Sequence, residues 1–393
     1  MKILWIAGWY PNQLEPFNGD FVQRHAKAVS LYHEVFVINI SRDATGSVTD
    51  SLKVDEITEG QLTEKRVYYK TKPDLPVVNR MISQSQYIRL YKKHIREYIS
   101  ANDKPDLVHF YVGFKPASLG KWIKKEFGLN YVVSEQWTGF LDEGKPAFSD
   151  LPFWLQWQWK KLVRNAAGVH VVSSYLKDAV AKRAGSHLPF KIIANVVDTS
   201  IFVPGTNDRR DTLEFVHVTG GLGYQKNTGD IIKAFAILRE RHINARLKIF
   251  GVRREELARL AEELKLQDSI IFFGEINQPE LARHFQQAAA LIIYSRFETF
   301  GCVIVEANAS GIPVIAADIP VLHETIEEGR NGLFAAGENP EALANTIESF
   351  IKNKSVFDYT GIARDCSDKY NYATIGREFS EWYESIILQN RHS

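Results

Sequence analysis

Residues 294–318, YSRFETFGCVIVEANASGIPVIAAD, decide the fold of the chain around them. The apolar run that leads into them, residues 290–294, is typical of a buried strand. A helix is predicted to begin near Gly301 and to stop at Gly311 and Pro313, because glycine followed by proline is a common helix ending. Phe300 and Gly301 would form the turn between strand and helix, where glycine allows a ligand to approach the backbone closely.

Two glutamates flank this turn with seven residues between them, Glu298 before the helix and Glu306 inside it. A helix N-terminus has unpaired N–H groups and a partial positive charge, which suit a phosphate. Glu306, about a turn and a half into the helix, could accept hydrogen bonds from both hydroxyls of a ribose. Glu298 could meet the hydroxyls of a sugar attached beyond the phosphates. Alternatively, both side chains could complement the charge of the helix terminus and face solvent.

The whole stretch resembles the donor-binding segment of the retaining glycosyltransferases of family 4. The residues that carry the resemblance are a strand, the turn ETFG at 298–301, a helix, the run EANASGIPVIA at 306–316, and Asp318. The resemblance covers essentially the whole chain and is most specific between residues 273 and 332. It implies a GT-B architecture, in which two Rossmann-like α/β domains face each other across a cleft and a C-terminal helix crosses back to the first.

The resemblance also implies an activity. It predicts retaining, metal-independent transfer of a hexose from a UDP- or GDP-sugar to a hydroxyl acceptor, a glycan or lipid-linked precursor of a surface polysaccharide. Neither a cofactor nor a metal is implied. Glu298 would hold the transferred sugar as a catalytic residue, and Thr299, Phe300 and Gly301 would join Glu306 in donor binding. Two alternatives stay open: a non-catalytic relative that binds nucleotide sugars, and a GT-B sugar-nucleotide epimerase.

Length and composition fit a soluble globular protein of two domains. The 393 residues are too many for one ordinary core, and 45% hydrophobic with 24% charged residues is usual for a globular protein. A net charge of +1 gives no sign of nucleic-acid binding. The two cysteines, Cys302 and Cys366, show no metal-ligand spacing and fit a reducing cytoplasm. The N-terminal run MKILWIAGWYP predicts a first strand, since its apolar part is too short for a signal peptide.

Strand and helix patterns alternate along the chain, which predicts a doubly wound α/β fold in each half. Most of the strands are continuous apolar runs, as expected for parallel strands covered on both faces. The predicted strands are 2–7, 35–38, 107–111, 131–134 and 168–173 in the first half, and 215–218, 247–251, 270–273, 290–294 and 313–316 in the second.

The polar segment PGTNDRRD at 204–211 predicts a linker between the two halves. Just before it, IANVVDTSIFVP at 193–204 resembles the interdomain segment of the family. The domains are therefore predicted as 1–203 on the acceptor side and 204–370 on the donor side. Residues 371–393 would form the helix that returns to the first domain, because 375–388 place apolar residues at helical spacing.

The second domain opens with HVTGGLGYQKNTGDIIKAFAIL, in which Lys226 occupies the position of a lysine that lies against the donor diphosphate in similar enzymes. A fixed ammonium would stabilise the negative charge that develops on the leaving nucleotide, so Lys226 is predicted to be catalytic. Many relatives carry an arginine five residues earlier, where this chain has Gly221. Arg253 or Arg254 could supply the missing charge, and Arg253 is therefore a predicted donor-binding residue.

Two loops of the first half complete the predicted site. In PNQLEPFNGDF at 11–21, Gly19 matches a glycine that lets this loop lie close to donor and acceptor, and Asp20 is placed on the acceptor side. After the fourth strand comes Gln136, where relatives often have a histidine near the transferred sugar. Glutamine can hydrogen-bond a sugar but cannot carry a proton. Gln136 is predicted as a catalytic residue and Trp137 as an acceptor-side residue.

Other chemistries find no support in the sequence. There is no G-x-G-x-x-G after a strand, no Walker-type loop, no Asp-x-Asp pair and no helical metal pair of histidines. No run of roughly eighteen apolar residues predicts a membrane span. However, the basic aromatic segments 80–100 and 153–164 are compatible with a weak peripheral membrane contact. The predicted location is therefore the cytoplasm, including the cytoplasmic face of a membrane.

Overall fold

The computed structural model describes residues 1–48, 50–70, 76–185, 187–205, 213–220, 223–252 and 254–391, with side chains of 76–82 and 390–391 excepted. The chain divides into two compact units, one of Met1–Val196 with Tyr372–Ser393 and the other of Val197–Asn371. The sequence placed these boundaries after residues 203 and 370. Each unit is an α/β layer structure with its own sheet and hydrophobic core.

In the first unit, strands alternate with helices along the chain. The strands are β1 (Lys2–Ala7), β2 (Glu34–Asp43), β3 (Leu52–Glu59), β4 (Leu62–Lys70), β5 (Leu107–Tyr111), β6 (Tyr131–Glu135), β7 (Gly168–Val171) and β8 (Phe190–Ile192). The helices are α1 (Asp20–Ser30), α2 (Pro76–Ala101), α3 (Ser118–Phe127), α4 (Phe153–Arg164) and α5 (Ser174–Ala184), joined at the far end of the chain by α13 (Tyr372–Arg391).

The described strands of the first unit form one sheet in the order β3-β4-β2-β1-β5-β6-β7-β8. All neighbours pair in parallel except β3 and β4, which form an antiparallel hairpin at the edge. The sequence analysis missed this hairpin because its strands, LKVDEITE and LTEKRVYYK, are charged and β3 is largely exposed. An antiparallel edge strand with one solvent-exposed face does not have the continuous apolar run that is typical of a buried parallel strand.

The C-terminal helix α13 belongs to the core of the first unit. Its side chains Phe379, Trp382 and Tyr383 are buried beside Trp5 of β1. It approaches α1 closely at Gly376, where a Cβ atom would lie 2.2 Å from the carbonyl oxygen of Ala28. Any side chain at this position would separate the two helices, so glycine fixes how tightly they pack.

The second unit repeats the strand–helix alternation. Its strands are β9 (Glu214–Thr219), β10 (Arg246–Gly251), β11 (Ile270–Phe272), β12 (Ala290–Ile293), β13 (Val314–Ala317) and β14 (Gly332–Ala335). Its helices are α6 (Gly223–Lys226), α7 (Thr228–Glu240), α8 (Glu255–Glu263), α9 (Gln278–Phe285), α10 (Cys302–Ala309), α11 (Pro340–Asn353) and α12 (Tyr359–Tyr370). The helix predicted from Gly301 to Gly311 is confirmed as α10.

The described strands of the second unit pair in parallel in the order β11-β10-β9-β12-β13-β14. The predicted doubly wound α/β class is thus confirmed for both units. In each sheet the strand order reverses next to the first strand, between β1 and β5 and between β9 and β12. In open α/β sheets, ligands bind beyond the carboxyl ends of the strands at such a reversal.

Candidate functional site

The reversal point of the second sheet brings Lys226 and Glu298 together. Lys226 ends α6, which follows β9, and Glu298 lies in the loop that follows β12. Because β9 and β12 are parallel neighbours, both loops leave the same edge of the sheet. Residues 72 positions apart in sequence thereby become neighbours.

Lys226 and Glu298 form a nearly buried ion pair. The Lys226 Nζ atom lies 2.6 Å from Glu298 Oε1, and the two side chains are only 15% and 7% exposed. The Ser295 hydroxyl donates a second hydrogen bond of 2.8 Å to the same carboxylate oxygen. The residue predicted to face a diphosphate and the residue predicted to face a sugar are therefore in direct contact. Ser295 was not singled out in the sequence, where a serine after a strand carries no distinctive signal.

Backbone and side-chain hydrogen bonds hold the two loops against each other. The Gln225 side chain donates to the carbonyl of Phe297 at 3.1 Å, and the Arg296 N–H donates to the carbonyl of Gln225 at 2.8 Å. The Arg296 guanidinium also lies 4.5 Å above the ring of Tyr224. These contacts fix the position of Lys226 relative to Glu298 without involving either side chain.

Helix α10 starts at Gly301, which has left-handed backbone angles of φ 83° and ψ 64°. Its N-terminus lies directly after the loop that holds Glu298 and carries the partial positive charge of a helix end. Of the two residues before it, Thr299 is partly buried, while Phe300 is 4% exposed and packs edge-to-face on Tyr370. The Phe300 ring therefore belongs to the core, and its contribution to a ligand would come from its backbone.

Glu306 lies in the second turn of α10 and is only 4% exposed. Its carbonyl accepts hydrogen bonds from both the N–H and the hydroxyl of Ser310, at 3.2 and 3.0 Å. A buried carboxylate requires hydrogen-bond or charge partners, since its desolvation is otherwise costly. Its burial argues against the alternative that Glu306 sits on a solvated face.

Behind Lys226 lies His217, a buried residue of β9 that the sequence analysis missed. Its Nδ1 donates to the carbonyl of Ile292 at 2.9 Å, and its Nε2 accepts from the Thr228 hydroxyl at 2.9 Å. Burial lowers the pKa of His217 to about 4, and the nearby Lys226 adds to the shift. The neutral ring ties β9, β12 and α7 together beneath the site. A histidine inside an apolar strand was the available signal, because buried polar groups need partners.

In the first unit, Gly19 is the N-cap of α1 and has a φ of 75°. A Cβ atom there would lie 2.7 Å from the backbone of both Trp9 and Tyr10. Glycine thus lets residues 9–19 fold tightly over the end of β1. Asp20 follows in the first turn of α1, and its carboxylate pairs with Arg24 at 3.0 Å.

Gln136 follows β6 and is held by a chain of neutral hydrogen bonds. Its Nε2 donates to the Tyr111 hydroxyl at 3.0 Å, and that hydroxyl contacts Nδ1 of the fully buried His25. His25 Nε2 donates to the carbonyl of Ala194 at 2.9 Å, so Nδ1 is the acceptor and Tyr111 the donor. This order leaves the side-chain carbonyl of Gln136 to accept from a ligand.

The neighbours of Gln136 are also buried. The Trp137 ring is 7% exposed and packs between Phe114 and Phe140. The Glu135 carboxylate accepts from the Trp159 indole at 2.8 Å and the Gly113 N–H at 3.0 Å. Burial raises the pKa of Glu135 to about 7 despite these bonds. Trp137 therefore shapes the wall behind Gln136.

A cavity of about 600 Å³ opens at the carboxyl ends of β1, β2 and β4. Its lining includes Trp9, Asn18, Arg42 and Lys115. Among the described residues, Arg42 and Lys115 form no ion pair. Because Glu15 and Asp43 also line it, the cavity offers room and charges of both signs beside the reversal point of the first sheet.

Two of the predicted positions, Arg253 and Gly221, lie outside the described residues. Within the ranges that are described, no three His, Cys, Asp or Glu side chains are grouped to hold a metal ion. In the same ranges, no helix is both long and apolar enough to cross a bilayer.

Two family models match the chain, one in each half. The model of the glycosyl transferases group 1 matches residues 203–366, and that of Glycosyltransferase Family 4 matches residues 25–201. Together they include the loops that carry Lys226, Glu298 and Gln136.

Curated relatives align over part of their length. An uncharacterized glycosyltransferase of Methanocaldococcus jannaschii is 30% identical over 184 residues, 46% of this chain and 46% of the relative. A D-inositol 3-phosphate glycosyltransferase of Corynebacterium kroppenstedtii is 28% identical over 215 residues, 50% of this chain and 48% of the relative. The chain thus spans less than half the length of each of these two relatives.

Solved structures match over nearly the whole chain. Sucrose-phosphate synthase from Thermosynechococcus elongatus gives a TM-score of 0.76 at 16% identity, covering 99% of this chain and 100% of that one. HepE of Anabaena, solved in complex with UDP-glucose, gives 0.71 at 18% identity, covering 98% and 100%. At these identities the matches show a shared fold of two Rossmann-like domains.

Proposed function

The chain belongs to the GT-B glycosyltransferases of group 1, and from this premise we propose that it transfers a hexose from a nucleotide diphosphate sugar to a hydroxyl acceptor. We propose that transfer retains the anomeric configuration and needs no metal ion. The observation that carries the proposal is the Lys226–Glu298 pair at the reversal point of the second sheet, directly before the N-terminus of α10.

On the donor side, each charged group has a role that its position supports. The N-terminus of α10 and the Lys226 ammonium would bind the diphosphate, and Glu306 would accept from the ribose hydroxyls. Glu298 would accept from hydroxyls of the transferred sugar. As the glycosidic bond breaks, negative charge grows on the leaving phosphate, and a fixed ammonium stabilises it.

The ion pair with Glu298 keeps Lys226 in place. The Lys226 ammonium and the Ser295 hydroxyl both donate to the same oxygen of the Glu298 carboxylate. A bound donor would offer phosphate oxygens to Lys226 and hydroxyl donors to Glu298. Each charged group would then have a partner on the ligand. Lys226 and Glu298 could therefore separate without either one being left unpaired.

On the acceptor side, we propose that Gln136 and the cavity lined by Trp9, Arg42 and Lys115 receive the acceptor. Gln136 can position a hydroxyl through its side-chain carbonyl but cannot take its proton. In retaining transfer on the donor's front face, the departing phosphate oxygen takes that proton. Gly19 and Asp20 would place the 9–19 loop beside the same cavity.

We propose a UDP-sugar as donor, with a GDP-sugar as the alternative, because the structurally similar HepE was solved with UDP-glucose. A glycan or lipid-linked precursor of a surface polysaccharide is the proposed acceptor. The lipopolysaccharide outer core galactosyltransferase WaaB, whose fold matches with a TM-score of 0.67, supports this acceptor class. We expect the reaction to take place in the cytoplasm, including the cytoplasmic face of a membrane.

The first experiment is a thermal-shift panel of UDP- and GDP-sugars on the full chain, with Glu306→Ala beside it. A donor at a hundredfold excess over its Kd stabilises the chain by about 2.7 kcal/mol, and Glu306→Ala should lose most of that gain. The control is Glu263→Ala, an exposed glutamate at the end of α8 in the same unit. No shift with any nucleotide sugar would refute the proposal.

Turnover separates an enzyme from a binding protein. NMR of the anomeric proton during transfer should show the configuration of the donor kept in the product, with EDTA leaving the rate unchanged. Binding without turnover on any acceptor would favour the non-catalytic relative. Release of a free altered sugar nucleotide would favour the epimerase.

A further inference from the structure

Helix α4 in the first unit presents large apolar side chains to solvent. Phe153 is 80% exposed, Trp154 43% and Trp157 49%. On its other side the helix buries Trp159 and Leu162 in the core. The three exposed rings lie in the first two turns, so they form one apolar patch at the start of the helix.

Lysines lie next to the Trp157 end of this patch, on α4 and on the neighbouring α3. They are Lys121, Lys124, Lys125, Lys160 and Lys161. With Trp157, four of them line a groove of about 650 Å³ between the two helices. Among the described residues, none of the five forms an ion pair. The Lys161 ammonium lies 3.7 Å above the Trp157 ring, so charge and apolar surface are in contact.

A purely structural reason accounts for only part of this pattern. Basic residues near a helix C-terminus complement the helix dipole, which applies to Lys124 and Lys125 of α3 and to Lys161 of α4. It gives no reason for Phe153 and Trp154, which expose apolar area at the opposite end of α4. Contiguous exposed apolar surface bordered by charge marks an interaction site.

We propose that this surface of α3 and α4 binds the headgroup region of a bilayer that contains anionic lipids. Tryptophan prefers the membrane–water interface, and lysine can bury its stem while its ammonium reaches the headgroups. The two features that interfacial binding requires, an apolar face and a cationic border, therefore coincide on two adjacent helices. This inference concerns location, and it stands or fails independently of the proposed transfer.

A bilayer explains the surface better than a soluble polyanion does. A nucleic acid or an acidic glycan would bind the lysines. It would give no reason for three exposed aromatic rings grouped at one end of a helix. Inserting those rings to headgroup depth removes that area from water. The lysines then contact lipid phosphates, and each is worth roughly 1 kcal/mol near an anionic surface.

The test is co-sedimentation of the full chain with vesicles of phosphatidylcholine alone or mixed with phosphatidylglycerol. We expect binding to the anionic vesicles only, weakened by salt, since screening acts on exposed charges. Lys121→Gln and Lys124→Gln should each weaken partitioning about fivefold. The matched control is Lys27→Gln, an exposed lysine of α1 in the same unit.

The aromatic residues are tested separately. Combined Phe153→Ser, Trp154→Ser and Trp157→Ser should abolish vesicle binding and the accompanying blue shift of tryptophan emission, while Phe17→Ser, which replaces another half-exposed ring, should not. Unchanged melting temperatures would show that the variants are folded. Wild-type binding by the aromatic variant, or binding of a soluble polyanion with no binding of vesicles, would overturn the proposal.

Discussion

The two sheet reversal points differ in how they hold their candidate residues. In the second unit, two opposite charges on adjacent loops meet directly, Lys226 and Glu298 at 2.6 Å. In the first unit, Gln136 is held by a neutral chain through Tyr111 to His25, all buried. The second unit thus presents a pair of fixed charges, whereas the first unit presents a fixed neutral amide. The same topology positions two chemically different groups.

The largest effect should come from removing the Lys226 charge in the second unit. Lys226→Met removes the ammonium at similar volume and should lower kcat/KM of the proposed transfer about 10²- to 10³-fold, because it removes a fixed charge from the leaving group. Lys233→Met is the matched control, since this 52%-exposed lysine pairs with Asp230 in the same unit. Steady-state kinetics with a donor identified by thermal shift gives the comparison.

The ion pair itself is measured by a double-mutant cycle on stability. Lys226→Met and Glu298→Gln, alone and together, should show a coupling free energy of about 0.5–3 kcal/mol in urea denaturation. Additive effects would mean that the two side chains do not interact in solution, which would contradict the ion pair.

The same contrast explains what could be predicted from the sequence. The turn and the helix start of the proposed donor side could be predicted because they lie with both glutamates within 25 residues, and the local pattern specifies them. What no local pattern shows is that Lys226 contacts Glu298, since that contact depends on β9 and β12 being neighbours. In the first unit, the hydrogen bond from His25 to Ala194 joins residues 169 positions apart. Only the folded sheet brings them together.

Fold prediction failed for a similar reason at the edge of the first sheet. Continuous apolar runs identified the central parallel strands, but β3 and β4 alternate charged and apolar residues and pair antiparallel. The edge strands β8 and β14 were also missed, although strands as short as β11 were predicted; both are only partly buried. Buried parallel strands are therefore the predictable part of this fold.

The next expected difference is that acidic pH lowers the stability of the first unit more than that of the second. Burial lowers the pKa of His25 and His109 well below its usual value and that of His170 to about 4, all in the first unit. An unfolded histidine takes up a proton near pH 6.5, whereas these do not. Their stabilising contribution is complete above pH 6.5 and is lost as the pH falls through the lowered pKa values, about 4 in the case of His170. For a shift as large as that of His170 the loss is on the order of 3 kcal/mol.

The effect of Glu135 on stability has the opposite pH dependence. Its pKa is raised to about 7 by burial, so the folded chain keeps a proton that the unfolded chain releases near its usual value of 4.5. Its contribution to stability therefore falls as the pH rises from 4.5 to 7. Glu135→Gln should stabilise the first unit at pH 8 and make its loss of stability in acid steeper.

Tryptophan fluorescence can follow the first unit alone. The eight tryptophans all lie in it, at positions 5, 9, 122, 137, 154, 157, 159 and 382, while residues 197–371 contain none. The second unit has one comparable fully buried histidine among its described residues, His217. Between pH 6.5 and 4, denaturant midpoints from fluorescence should therefore fall further than those from circular dichroism. Coincident midpoints at every pH would contradict this expectation.

The last comparison concerns the backbone shape of the first unit, at Gly19. Gly19→Ala forces a left-handed backbone on alanine and places its Cβ 2.7 Å from the backbone of Trp9 and Tyr10. Gly60→Ala is the control, because Gly60 has a φ of 61° but no described heavy atom within 4 Å of its Cβ position. Left-handed strain alone costs about 1–2 kcal/mol, which both variants share. The clash adds a further 1–3 kcal/mol or so to Gly19→Ala only.

Urea denaturation followed by tryptophan fluorescence measures both variants, since both positions lie in the first unit. A larger loss of stability for Gly19→Ala would show that the 9–19 loop is rigid where it crosses β1. Equal losses would show that the loop moves aside, and in that case kcat/KM becomes the deciding measurement. A loop that shapes the proposed acceptor cavity should lower kcat/KM when it moves, whereas Gly60→Ala, in the exposed turn between β3 and β4, should leave it unchanged.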